Sequence, residues 1–191
     1  MVLAAGNSSR MGKPKQLLPV NEKTLLNHSL EQCLESEAER VIVVLGSDFQ
    51  LISETITSNR VHILNNPRWQ QGMGSSISCA MRYVKSNCSE IDAVLFALSD
   101  QPLVTVKQYN NLINKYITGS KKIVCSRYKE VLGVPAIFDK KYFDELEKLE
   151  GHVGAKDLIK QNLKTVESLD MGECLTDLDT PEDYYHYIKI F

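Results

Sequence analysis

Arg10, Lys13 and Lys15 bring three positive charges into the stretch GNSSRMGKPK, which starts at Gly6 directly after the apolar run Val2-Leu3-Ala4-Ala5. Glycine and serine supply backbone and hydroxyl donors there. The guanidinium suits bidentate phosphate contact, and each ammonium is a compact charge. A strand running into such a loop is one physical recipe for holding phosphates. The spacing is not that of a P-loop, because Gly6 is followed by Gly12-Lys13-Pro14, and no GxGxxG fingerprint is present. The bland alternative is a solvated loop with ordinary surface lysines.

Carboxylates recur at two places. Asp100 follows the apolar run Ala93–Leu98 in the sequence Ser99-Asp100-Gln101-Pro102, so a strand would hold it at a sheet rim. A hard cation such as Mg²⁺ takes oxygen ligands of this kind and shares them with substrate phosphates. Asp-x-Pro is equally helix-entry chemistry, so capping is the competing role. Asp177 and Asp179 flank Leu178, and in an extended segment they face one side, where two like charges repel unless a cation lies near. There, too, Asp179 or Thr180 could simply start the last helix.

Gln71-Gly72-Met73-Gly74-Ser75-Ser76 stands between a strand and a helix expected over Ser76–Lys85. Glycines at that junction allow close backbone approach, and the helix start favours an anion or a polar ring edge; a plain turn is the alternative. Gly133-Val134-Pro135 and the stretch Gly151-His152-Val153-Gly154-Ala155 say little alone beyond strand, helix and loop.

The elements that must position these residues alternate. Val41–Leu45, Val61–Leu64, Ala93–Leu98 and Ile123–Cys125 read as strands, the first stopping at Gly46. Leu25, Leu26, Ser29, Leu30 and Cys33 share one helical stripe, and Val106, Tyr109, Leu112, Ile113, Tyr116 and Ile117 another. Asp48 and Thr180 are expected helix caps, the latter followed by Pro181. The pattern predicts a three-layer α/β/α sandwich with a mostly parallel, Rossmann-like sheet, as one domain over residues 1–191. Ligands bind beyond the carboxyl ends of such strands, so the loops after Ala5, Leu64 and Leu98 share one rim.

The chain has 191 residues, a formal net charge of −2 and a hydrophobic fraction of 43%, ordinary globular values that point to neither nucleic acid nor a membrane surface. The N-terminus carries neither a signal-peptide pattern nor a span. Five widely spaced cysteines form no CxxC pair or zinc-ligand spacing, which is expected of thiols in a reducing cytoplasm.

Together, the stretch Leu3–Pro19 and the motifs at 72–76, 100–102, 133–135, 151–155 and 177–183 resemble the MobA-like nucleotidyltransferases, and most nearly their molybdenum cofactor cytidylyltransferase branch. The resemblance runs in order along nearly the whole chain. It implies transfer of a nucleotidyl group from an NTP to a phosphorylated acceptor, with loss of pyrophosphate. By that likeness the backbone of Leu3, Ala4, Ala5 and Gly6, with Gly74 and Ser75, would hold base and ribose, and Asn66 would lie near the sugar. Arg10 and Lys15 would hold the triphosphate, Asp100 and Asp179 would bind Mg²⁺, and Lys15, Arg10 and Asp100 would carry the catalysis. Gly133, Pro135 and His152 would face the acceptor. His152 stands where the family more often has aspartate, Lys156 where arginine is common, and the first strand has a shorter lead-in than usual, as from a truncated start.

The expected substrates are CTP and molybdopterin cofactor, with a molybdenum hydroxylase or its chaperone as partner. Transfer of GMP to the same cofactor, or of a nucleotide to another phosphorylated small molecule, is the enzymatic alternative. A nucleotide-binding cofactor chaperone is the non-enzymatic one. A dinucleotide-binding oxidoreductase lacks its glycine fingerprint.

Overall fold

Alternation of apolar side chains with period two builds the sheet. The structure, a computed structural model, describes residues 1–190. Its strands are β1 (Val2–Ala4), β2 (Pro19–Val20), β3 (Lys23–Thr24), β4 (Val41–Leu45), β5 (Val61–Asn65), β6 (Ala93–Leu98), β7 (Ile123–Tyr128), β8 (Val131–Asp139) and β9 (Val166–Asp170). The helices are α1 (Leu25–Leu34), α2 (Phe49–Ser53), α3 (Met73–Asn87), α4 (Val106–Thr118), α5 (Phe143–Glu147), α6 (Ala155–Gln161) and α7 (Pro181–Ile190). The main sheet has the order β5-β4-β1-β6-β8-β7-β9, with β2 and β3 in a separate antiparallel ribbon. All of its strands run parallel except β8, which is antiparallel to both neighbours.

The two faces read directly from the alternation. Val2, Ala4, Val41, Val43 and Leu45 point to one side, where they pack with Leu26, Leu30 and Cys33 of α1, Ile52 of α2 and Tyr109 of α4. Leu3, Ile42, Val44, Phe96 and Phe138 point to the other, against Ile77, Met81 and Val84 of α3, Leu146 of α5 and Leu158 of α6. Helices therefore cover both faces, which is the expected three-layer arrangement. Burying each large side chain contributes roughly 1.5–3 kcal/mol, so the sheet is the rigid part of the molecule. Among the described residues, no helix is long and apolar enough to cross a membrane.

Several local expectations are corrected. Helix α3 begins at Met73 rather than Ser76, because Gly72 already turns the chain at φ 101°. Asp48 does not cap α2: it sits at φ 54°, and its carboxylate accepts from the Ser47 hydroxyl at 2.7 Å. Ile117 leaves its stripe, being 68% exposed near the end of α4, while Tyr109 and Leu112 are buried. Residues 133–138 belong to β8, and the register slips between Cys125 and Ser126, which pair with Ala136 and Gly133. Val134 and Pro135 are the residues skipped, which suits a proline that has no N–H to give a ladder. Thr180 does cap α7, accepting from the Asp183 amide at 3.2 Å.

The five cysteines are free; Cys33, Cys88 and Cys125 are buried, whereas Cys79 and Cys174 are partly open. Burial pushes the Cys125 thiol up to about 11. A thiol-reactive dye at pH 8 is therefore expected to modify Cys79 and Cys174 in the native protein and the other three only after unfolding. Mass mapping of the modified peptides checks this.

Candidate active site

The turn after β1 is fastened from inside by Gln16, a side chain only 1% exposed. Its Nε2 donates to the carbonyls of Ala4 at 2.8 Å and Gly6 at 2.9 Å. Ser47 N donates to the Ala5 carbonyl at 3.1 Å. The Ser8 hydroxyl accepts from Lys15 N at 2.9 Å and donates to Gln16 Oε1 at 3.3 Å, which folds the cationic loop back on itself. The Ala4–Gly6 carbonyls thus have internal partners, while Gly6 is exposed, with no atom within 4 Å of where a Cβ would stand. Gln16 carries no recognisable motif, and its role becomes visible only in three dimensions.

Lys15 is the centre of the rim. Its Nζ lies 2.5 Å from Asp100 Oδ2 and 2.9 Å from Asp179 Oδ1, and Arg10 Nη1 lies 3.6 Å from Asp179 Oδ2. Burial pulls the Lys15 pKa down, but Asp100 and then Asp179 outweigh it and hold the ammonium above its ordinary range. Asp100 is therefore not a cap; Thr105 caps α4, closing a capping box with Gln108. Leu178 N donates to the Asp100 carbonyl at 2.9 Å, which seats the Asp177–Asp179 segment on the end of β6. Asp177 Oδ1 accepts from Gln101 Nε2 at 2.8 Å. Asp177 is exposed as a residue, and desolvation of its carboxylate, then the charges of Asp100 and Asp179, push its pKa up to about 6.

Asp100 Oδ1 is buried and has no hydrogen-bond partner. An orphan carboxylate oxygen costs free energy unless a donor or cation meets it. Three carboxylates face one lysine and one arginine here, which leaves an excess of negative charge. Hard oxygen donors and an unmet acceptor fit a divalent cation such as Mg²⁺, with Asp100 and Asp179 as the residues to hold it.

The other half of the rim is a backbone clamp. A Cβ on Gly72 would meet the Gly151 carbonyl oxygen at 2.4 Å, and one on Gly74 would meet Glu150 C and Val153 O, each at 2.7 Å. Gly74 N donates to the Gly151 carbonyl at 3.0 Å. The glycines do allow close backbone approach, but it is the chain's own segment 150–153 that approaches. Asn66 is 1% exposed and braces this junction. Its Nδ2 donates to Ser75 Oγ at 2.9 Å and Ser76 Oγ at 3.1 Å, and its Oδ1 accepts from Arg68 N at 3.0 Å. Asn66 and Ser75 are thus spent on holding the start of α3 rather than open to a sugar. His152 is exposed on the docked segment. Gly133 and Pro135 lie beyond the last β6–β8 pair, Phe96 with Ala136, and so on the rim where β6 ends.

The MobA-like NTP transferase domain matches residues 1–166, so Asp177 and Asp179 lie beyond the matched part. The chain is 29% identical over 194 residues to the purine catabolism protein PucB of Bacillus subtilis (strain 168), covering 95% of this chain and 91% of that one. It is 28% identical over 201 residues to nicotine blue oxidoreductase of Paenarthrobacter nicotinovorans, covering 98% and 95%. It is 22% identical over 185 residues to the molybdenum cofactor cytidylyltransferase of Escherichia coli (strain K12), covering 96% and 92%. Among solved structures, Rv0371c of Mycobacterium tuberculosis H37Rv superposes with a TM-score of 0.84 at 27% identity, over 98% of this chain and 96% of that one. The manganese complex of Rv0371c also matches, with a TM-score of 0.80 at 25% identity, over 100% of this chain and 97% of that one.

Two consequences are measurable. Gly74→Ala sets a methyl against backbone that cannot swing away, and is expected to lose about 1–3 kcal/mol of stability in urea unfolding. Asp177 has a folded-state pKa above its unfolded value, so between about pH 4 and 6 the folded state binds more protons and stability falls as pH rises. Asp177→Asn is expected to flatten that fall and to be more stable than the parent at pH 7.5, as unfolding midpoints at pH 5 and 7.5 would show.

Proposed function

The chain belongs to the MobA-like NTP transferase family, and on that premise we propose that it transfers CMP from CTP to a molybdopterin-type molybdenum cofactor. The observation that carries this reading is Lys15, bracketed by Asp100 and Asp179 at the rim where β1 and β6 end. The likeness to a molybdenum cofactor cytidylyltransferase over 96% of the chain supports the choice of acceptor. Gly6 and the start of α3 flank the place for base and ribose. Asn66 acts as a positioning residue that keeps Ser75 and Ser76 in line.

In the proposed reaction an oxygen of the acceptor's phosphate attacks the α-phosphorus of CTP. One P–O bond forms, the bond between the α-phosphorus and the bridging oxygen breaks, and pyrophosphate leaves with the electron pair. The acceptor oxygen is already anionic, so the protein need not supply a nucleophile or a base. Its task is to bring two polyanions together, by positioning and charge neutralisation. Lys15 and Arg10 supply the cationic side chains for the triphosphate. Asp100 and Asp179 would hold a divalent cation, Mg²⁺ in our reading, which when bound neutralises phosphate charge. Manganese in the Rv0371c complex supports a divalent metal. The acceptor would enter along Gly133, Pro135 and His152. A molybdenum hydroxylase, or a chaperone serving it, would take the product, in the cytoplasm.

Two relatives of higher identity bear the names purine catabolism protein and nicotine blue oxidoreductase. A hydride-transfer reading has no GxGxxG fingerprint after β1 in its favour. Pyrophosphate release with each of the four NTPs, with and without molybdopterin, separates the readings. Release only with CTP plus molybdopterin is expected, while release with another NTP would move the substrate and keep the chemistry. Lys15→Ala and Asp100→Ala are each expected to cut turnover about a hundredfold or more, by analogy with loss of one oxyanion-stabilising group. Near-normal rates in either variant would sink the assignment.

A further inference from the structure

A groove of about 350 Å³ opens between α3 and the segment joining α5 to α6, with none of Arg10, Lys15, Asp100 and Asp179 in its lining. Ser75, Ser78 and Arg82 share the helix face that lines it, at i, i+3 and i+7 spacing, with Arg68 from the preceding loop and Lys148 opposite. None of these three cations is ion-paired among the described residues. Glu147 also lines the groove and shares Lys85 with Asp144, each carboxylate lying 2.6 Å from its Nζ. With Lys85 and Asp144 counted beside the lining residues, four cations face three carboxylates, a net excess of one positive charge.

A further observation points to an occupant. Ser78 is only 7% exposed, yet among the described residues its hydroxyl takes no partner, although it lines the groove. Arg68 and Arg82 both line the groove. Arg68 is held there by its backbone, its N–H donating to Asn66 and its carbonyl accepting from Ser75 Oγ at 2.9 Å. The side chains of Arg68, Arg82 and Lys148 and the Ser78 hydroxyl are thus donors that no acceptor among the described residues takes up.

We propose that this groove binds a phosphate-type dianion carried by a small molecule, held by Arg68, Arg82 and Lys148 with Ser78 donating its hydroxyl. Two guanidinium groups suit bidentate contact with phosphate oxygens, and the space exceeds what one phosphate fills. The far wall, Leu149 and Glu150, runs into Gly151, whose carbonyl accepts from Gly74 N. An occupant therefore bears on the clamp that carries His152. The phosphate belongs either to a remote part of the acceptor or to a separate phosphorylated ligand.

The test is an NMR titration of the ¹⁵N-labelled chain with inorganic phosphate, run on the wild type, Lys15→Met and Arg68→Gln/Arg82→Gln. Both arginines are exposed, so the double variant keeps its fold, which its melting temperature verifies. Saturable shifts in the Ser75–Arg82 amides are expected, surviving Lys15→Met and weakened at least about tenfold in the double variant. Non-saturating shifts, shifts confined to the Lys15 loop, or equal binding by the double variant would overturn the site. The titration needs no turnover, so failure of CMP transfer leaves it standing, and its own failure leaves CMP transfer standing. In the transfer assay, a raised KM for the acceptor with unchanged kcat in the double variant assigns the phosphate to the acceptor. Unchanged KM, with phosphate monoesters altering the rate of the wild type only, assigns it to a separate ligand.

Discussion

One ammonium group ties the rim together. Lys15 Nζ bonds to carboxylates 85 and 164 residues away in the chain, and so joins the first loop, the end of β6 and the segment before α7. Lys15 and Asp100 side chains are each 15% exposed, and taking such a pair out of water offsets much of its Coulombic attraction. The pair is therefore a poor source of net stability and a good source of geometry. What stabilises the arrangement is the apolar packing beneath it: Met11, Leu18 and Val20 from the N-terminal part meet Leu178 and Tyr187 from the C-terminal part. That packing brings Asp179 to Lys15, and the charges then select one register.

The far half of the rim rests on backbone contacts instead of charge. Gly46 belongs with Gly72 and Gly74 in this respect, since a Cβ there would meet Trp69 Cβ at 2.4 Å and the Ala5 carbonyl oxygen at 2.7 Å. Trp69 and Asn66 stand in the same loop, so the end of β4 sets the loop after β5, and that loop sets α3. Contacts of this kind transmit displacement because a packed backbone has few ways to yield. A sheet rim built this way keeps the turn after β1 and the start of α3 at a fixed separation.

Local pattern identifies much of this. The bounds of β4 and β6, the buried stripe of α1 and the common rim of the β1, β5 and β6 loops follow from periodicity and strand direction. Lys15, Asp100 and Asp179 stand out because their charges follow apolar runs or flank a helix start. Other features leave no local trace. The reversed direction of β8 depends on its partners, and its residues read as a strand in either sense. Gln16 and Asn66 act by hydrogen bonds to backbone and side chains brought near only by folding, and a single buried amide has no periodic signature. The glycines at 72 and 74 signalled close approach correctly, but nothing in their spacing tells a ligand's approach from that of residues 150–153. Ile117 obeys the helical period and still faces solvent, because the apolar face of α4 runs out before the helix does.

The division of labour across the rim follows from the charges involved. A polyanion drawn toward Arg10 and Lys15 meets Asp100, Asp177 and Asp179 in the same place, and the carboxylates alone would repel it. Lysine between two aspartates relieves part of this in the free protein, where Asp177 has only the Gln101 amide and Asp100 Oδ1 has no hydrogen-bond partner. Phosphate arriving at Lys15 competes for an ammonium already engaged, so it must release carboxylate as it binds. That released carboxylate needs a new cation, and the orphan oxygen beside it is a ready second ligand. Anion and cation are then favoured together more than either alone. On the function proposed above, such a rim would prefer a metal-bound polyphosphate over a bare one, through electrostatics that the apolar core holds in register.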